Sequence, residues 1–91
     1  MAEIIITLKI MPESPEIDWE ELKLKSKKII EDANGEVGKE YLEDIAFGIK
    51  ALFLIFIRDE SLGSADNIAD EISNIDGISS AEITDIRRAI G

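Results

Sequence analysis

The stretch Ile49–Arg58 constrains this chain more than any other, because an extended backbone through it is apolar on both sides. Side chains on a strand alternate faces, so Leu52, Leu54 and Phe56 form one row and Phe53, Ile55 and Ile57 the other. A strand of this kind normally lies at the centre of a sheet, and the rest of the chain has to supply the sheet around it. Glu3 to Met11 reads as a further strand, with Ile4, Ile6, Leu8 and Ile10 on one face and the more mixed Ile5, Thr7 and Lys9 on the other. Pro12-Glu13-Ser14-Pro15 breaks it into a loop. Val37 to about Glu43 is a weaker strand, polar enough for a sheet edge. Ile78 to about Arg88 returns as a last strand, with Ala81 and Ile83 alternating and Thr84-Asp85 marking a kink.

Two helical patterns separate these strands. Asp18 is placed as an N-cap, with Glu21 three residues on completing a capping box, and Trp19, Leu22, Ser26, Ile29, Ile30 and Ala33 follow helical spacing. Asn34-Gly35 supplies a left-handed stop. The second helix is predicted over Ser64 to Asp76, capped by Ser64, striped by Ile68, Ile72 and Ile75, and ended by Gly77. The resulting βαββαβ order predicts an α+β, ferredoxin-like sandwich: a four-stranded antiparallel sheet with both helices on one face, where right-handed crossovers put them. One apolar row of Ile49–Arg58 must then look away from the helices. It reads either as a contact surface or as a modest patch shielded by long neighbouring side chains.

Ninety-one residues fit a single domain over 1–91, and 45% hydrophobic with 33% charged residues is the balance of a globular chain. The sequence holds neither cysteine nor histidine, which removes thiolate nucleophiles, disulfides, zinc fingers and histidine bases together. No Asp/Glu spacing resembles a calcium loop, no Gly-rich phosphate cradle is present, and no metal or cofactor is implied. Carboxylate neighbours such as Glu20-Glu21 and Glu43-Asp44 fall on solvated surfaces by pattern. A net charge of −10 opposes direct nucleic-acid binding and suits solubility or a basic protein partner. Lys23, Lys25, Lys27 and Lys28 gather on the first helix, as a solvated face or as a patch for an acidic partner. The start of the chain lacks a signal-peptide pattern and no stretch reaches the roughly 20 apolar residues of a membrane span, so a cytoplasmic protein is expected. These features favour a binding or regulatory module over an enzyme.

Three segments carry a more specific message: Lys9-Ile10-Met11-Pro12-Glu13-Ser14-Pro15, Ile45-Ala46-Phe47-Gly48-Ile49-Lys50-Ala51-Leu52, and Ile83-Thr84-Asp85-Ile86-Arg87-Arg88. Together, and in register over essentially the whole chain, they resemble the guanine-nucleotide exchange domain of the elongation factor 1-beta family in its archaeal form. The resemblance implies exchange of GDP for GTP on elongation factor 1-alpha, the translational GTPase that would be the partner. It also points to Ile45, Phe47, Gly48 and Lys50 in the middle hairpin, and to Arg87 and Arg88 near the end, as partner-binding residues. Phe47 either enters a pocket of the partner or folds back on its own sheet; the arginines either act on phosphate or carboxylate groups or close a chain-end salt bridge. Eukaryotic relatives carry a lysine near the last residue, whereas the matching end here is Ala89-Ile90-Gly91, with no lysine, which departs from that pattern. An alternative from a different class is a ferredoxin-like regulatory or assembly module that dimerises through its open sheet face.

Overall fold

The computed structural model describes residues 2–89. It runs β1 (Glu3–Pro12), α1 (Trp19–Asp32), β2 (Glu36–Ala46), β3 (Ile49–Asp59), a short 3-10 turn (Glu60–Leu62), α2 (Asp66–Ser73) and β4 (Ile78–Arg88). The four strands form one antiparallel sheet in the order β2-β3-β1-β4, so the doubly apolar strand is central, as its sequence requires. The fold is the ferredoxin-like α+β sandwich.

The sheet face under the helices is dry. In register, Ile6 opposes Phe56, Leu8 opposes Leu54 and Ile10 opposes Leu52, and all six are fully buried. Leu22 and Ile30 of α1 and Ile68 and Ile72 of α2 close over them. Burying such a side chain is worth roughly 1.5–3 kcal/mol, so these two rows supply much of the stability. Ser26 sits in the same layer, fully buried, and its hydroxyl has no hydrogen-bond partner.

The helix ends show where local pattern stops being sufficient. Asp18 caps α1 as expected, accepting from the N–H groups of Glu20 at 3.1 Å and Glu21 at 3.4 Å. The Glu21 carboxylate does not complete a capping box; it pairs forward with Lys25 at 3.0 Å. At the other end Asn34 takes the left-handed conformation with φ 66°. Gly35 serves a different need: a Cβ there would lie 2.7 Å from Ile30 Cγ2 and 3.2 Å from Phe56 Cδ2. The second helix is shorter than Ser64–Asp76 at both ends. Ala65 rather than Ser64 is the N-cap, and Ser64 Oγ accepts from the Asp66 N–H at 3.1 Å in a local turn just ahead of the helix. After Ser73 the chain tightens through Ile75 N–H to Ile72 O at 3.0 Å before Gly77 turns it at φ 95°.

β2 extends to Ala46, past the expected end near Glu43, because Glu43, Asp44 and Ala46 still pair with Ala51, Lys50 and Ile49. The kink expected at Thr84-Asp85 is a register shift: Thr7 opposes Asp85 while Leu8 opposes Ile83. Thr84 is the extra residue, and its Oγ1 donates to Thr7 O at 3.4 Å.

Candidate functional site

The hairpin between β2 and β3 is a two-residue connection, with Ala46 opposite Ile49 and Phe47-Gly48 between them. Both turn residues have positive φ, 51° for Phe47 and 77° for Gly48, the signature of a type I′ turn. That turn matches the twist of the strands and normally takes Asn-Gly or Gly-Gly; an aromatic in its first position is under backbone strain. The ring gains nothing intramolecular in return, since Phe47 is 100% exposed. It does not fold back onto the sheet. Ile45, displaced by a register shift between Asp44 and Ala46, is 42% exposed beside it, and Lys50 faces Asp44 across the strands. Ile45, Phe47, Gly48 and Lys50 are therefore brought together at one tip.

Arg87 and Arg88 are not part of that tip. Arg88 shares a row with Ile4, and Ile4 with Arg58. From Phe47 to Arg58 the chain runs the length of β3, about 36 Å at ~3.3 Å per residue, within a molecule whose longest extent is 42 Å. The two candidate clusters occupy opposite ends of the sheet. Both arginines are engaged in ion pairs. Arg87 Nε donates to Asp85 Oδ2 at 2.8 Å, and Arg88 grips Glu60 with two bonds, Nε to Oε2 at 2.9 Å and Nη2 to Oε1 at 2.6 Å. The bidentate Glu60 contact raises the Arg88 pKa further above its already high value. The chain-end salt bridge therefore forms in the free domain, and an external anion must displace an internal one to reach Arg88. Ile90 and Gly91, the end that departs from the eukaryotic pattern, lie outside the described residues.

The four lysines of α1 form the solvated face: Lys23 with Glu20, Lys25 with Glu21, Lys28 with Asp32, and Lys27 with Glu40 of β2. Sequence periodicity missed Tyr41. The register shift at Gly38 puts it opposite Phe53 on the helix-free face, where the two rings stack at 5.0 Å with 9° between their planes. Arg58 was likewise unmarked; its guanidinium donates to Ala33 O at 2.9 Å and to Gly63 O at 3.3 Å, tying the end of α1 to the loop before α2. Only the distant approach of those carbonyls reveals that role. Among the described residues no group of three or more His, Cys, Asp or Glu side chains is arranged to hold a metal, and no helix is long and apolar enough to cross a membrane.

Fold and site thus define a small α+β domain with an exposed aromatic tip at one end of its sheet and two ion-paired arginines at the other. Residues 5–89 match the family model described as the EF-1 guanine nucleotide exchange domain, and the chain belongs to that family. It is similar to proteins named elongation factor 1-beta from several archaea. That of Methanobrevibacter smithii is 42% identical, with 97% of this chain and 98% of that protein covered. Those of Methanothermobacter thermautotrophicus and Staphylothermus marinus are 36% and 37% identical over the same shares.

Proposed function

We propose that this chain promotes release of GDP from elongation factor 1-alpha, so that GTP enters and the GTPase is recycled for peptide elongation in the cytoplasm. The observation that carries the reading is Phe47: a fully exposed aromatic in a strained turn, inside the Ile45–Lys50 stretch and within the family match. A ring that costs the free domain in conformation and hydration is explained by a pocket on a partner.

The mechanism needs differential binding and no covalent step. An exchange factor binds the nucleotide-free GTPase more tightly than the GDP-bound form, and linkage makes GDP weaken the factor to the same degree. A thousandfold weakening of GDP corresponds to about 4 kcal/mol. One well-seated aromatic anchor supplies about 2 kcal/mol or more. The remainder comes from contacts made elsewhere, and the arginine end suits it, because a guanidinium competes well for the carboxylate and phosphate groups around a bound magnesium nucleotide. Since the two clusters lie about 36 Å apart along β3, one partner touching both must lie along the sheet rather than at one tip.

The test is release of a fluorescent GDP analogue from elongation factor 1-alpha, with the wild-type chain and with Phe47→Ala. The wild type should accelerate release at sub-stoichiometric amounts, and Phe47→Ala should lose most of that acceleration while keeping its circular dichroism and melting transition. A folded wild type that leaves release unchanged refutes the reading.

A further inference from the structure

We infer that the helix-free face of the sheet is a docking surface for a carboxylate-bearing patch on the same GTPase, centred on the Tyr41–Phe53 stack and the ammonium groups of Lys9 and Lys39. The inference rests on the exchange reading and adds to it a third contact region between the two ends.

The strand register lays this face out as a grid. Glu36, Ile57, Ile5 and Arg87 lie side by side across the four strands; the next row is Lys39, Ile55, Thr7 and Asp85; the next is Tyr41, Phe53, Lys9 and Glu82. The central apolar groups Ile5, Phe53, Ile55 and Ile57 are half-buried, and no helix among the described residues packs over them. The same face carries Arg87, though not Arg88, at one end and leads toward the Phe47 turn at the other.

Charge identifies the occupant. Of the ten lysines and arginines, six are in side-chain ion pairs and Arg58 is spent on backbone carbonyls. Lys50 lies at the hairpin. The other two, Lys9 and Lys39, flank the aromatic stack, and no described carboxylate comes within ion-pairing distance of either. In a chain with twice as many acids as bases, leaving two ammonium groups unpaired on either side of the aromatic stack, Lys9 on the inner strand β1 and Lys39 on the edge strand β2, is an arrangement open to an external anion. Glu36 and Glu43 on β2, and Glu82 and Asp85 on β4, lie at the margins of the face, and Glu3 and Asp59 oppose each other at its far end; Asp85 is already paired to Arg87, and Glu82 is the register partner of Lys9 without reaching ion-pairing distance. Those acids oppose the polyphosphate backbone of a nucleic acid, and a net −10 on each copy opposes self-association. A protein surface with a few localised carboxylates satisfies both conditions.

The experiment compares the double variant Lys9→Glu/Lys39→Glu with Lys25→Glu/Lys28→Glu, which makes the same charge change on the helix face. The readout is catalysed release of a fluorescent GDP analogue from elongation factor 1-alpha across a salt series. The first variant should lower the second-order rate constant for catalysed release by roughly tenfold or more at low salt, and flatten its salt dependence, because steering between complementary patches is what salt screens. The second should change it less than about threefold, the effect of bulk charge alone. Equal loss in both variants, or none in the first, overturns the inference while wild-type exchange stands. Failure of the wild type itself overturns the exchange reading instead. Sedimentation showing a wild-type dimer that Lys9→Glu/Lys39→Glu dissociates would assign the face to a second copy and also overturn it.

Discussion

Replacing Phe47 with asparagine should make the free domain more stable and the exchange factor worse. Because Phe47 is 100% exposed, truncating it removes no buried apolar area, so the hydrophobic contribution to the change is near zero. What remains is conformational. Phe47 holds φ at 51°, where an ordinary L side chain pays about 1 kcal/mol and asparagine, whose short side chain is suited to that region, pays much less. The substitution places asparagine directly before Gly48, and Asn-Gly is the preferred sequence for the turn already present. A gain of about 1 kcal/mol in a domain of this size raises the melting temperature by roughly 4–8 °C. Loss of an anchor worth about 2 kcal/mol lowers catalysed GDP release roughly thirtyfold. Calorimetry reads the first quantity and release of a fluorescent GDP analogue the second. The opposite signs give the experiment its force. A fall in melting temperature would mean the ring supports the hairpin, and unchanged exchange in a stabilised variant would mean the tip is not a contact.

Further outcomes follow from the packing. Ser26→Ala removes a buried hydroxyl without a partner and should raise stability by about 1 kcal/mol in urea unfolding; a loss would show that the hydroxyl is satisfied in solution. Gly77→Ala forces a side chain onto φ 95° and into Ile17, costing about 1–3 kcal/mol, which a shift in the urea midpoint measures. Asp59 has its pKa lowered chiefly by the Ser61 N–H that its carboxylate accepts at 2.8 Å. A lowered folded-state pKa means that this contribution to stability is present above the ordinary carboxylate range and is lost as pH falls through the lower folded value. Asp59→Asn should therefore be less stable than wild type at neutral pH, and the gap should close below about pH 4 in a pH series of urea midpoints.

Most of the scaffold was legible in the sequence because alternation and helical spacing are local properties. The two rows of Ile49–Arg58 required a central strand, the Asp18 carboxylate marked the start of α1, and the order of elements left few topologies besides the ferredoxin-like one. The hairpin with Phe47 at its apex could be placed from the Ile45–Lys50 motif, since two paired strands flank it. Boundaries were less secure wherever a side chain competes with the backbone, as at Ser64, or wherever pairing carries a strand through acidic residues, as at Glu43-Asp44.

Other features belong to the tertiary structure alone, because they depend on which residues distant in sequence come within a few ångströms. The motif at Arg87-Arg88 gave no sign that Glu60 would hold Arg88, nor that the strand directions would place both arginines a sheet's length from Phe47. Tyr41 became half of an aromatic stack only through the register shift at Gly38, and Lys9 and Lys39 were set apart from the lysines of α1 only by where the carboxylates came to rest. Sequence alone determined the order of the elements and the faces they bury, since both follow from the side chain's position along its own strand or helix. Register and ion pairing decided which exposed groups share a surface, and those are settled between segments rather than within them.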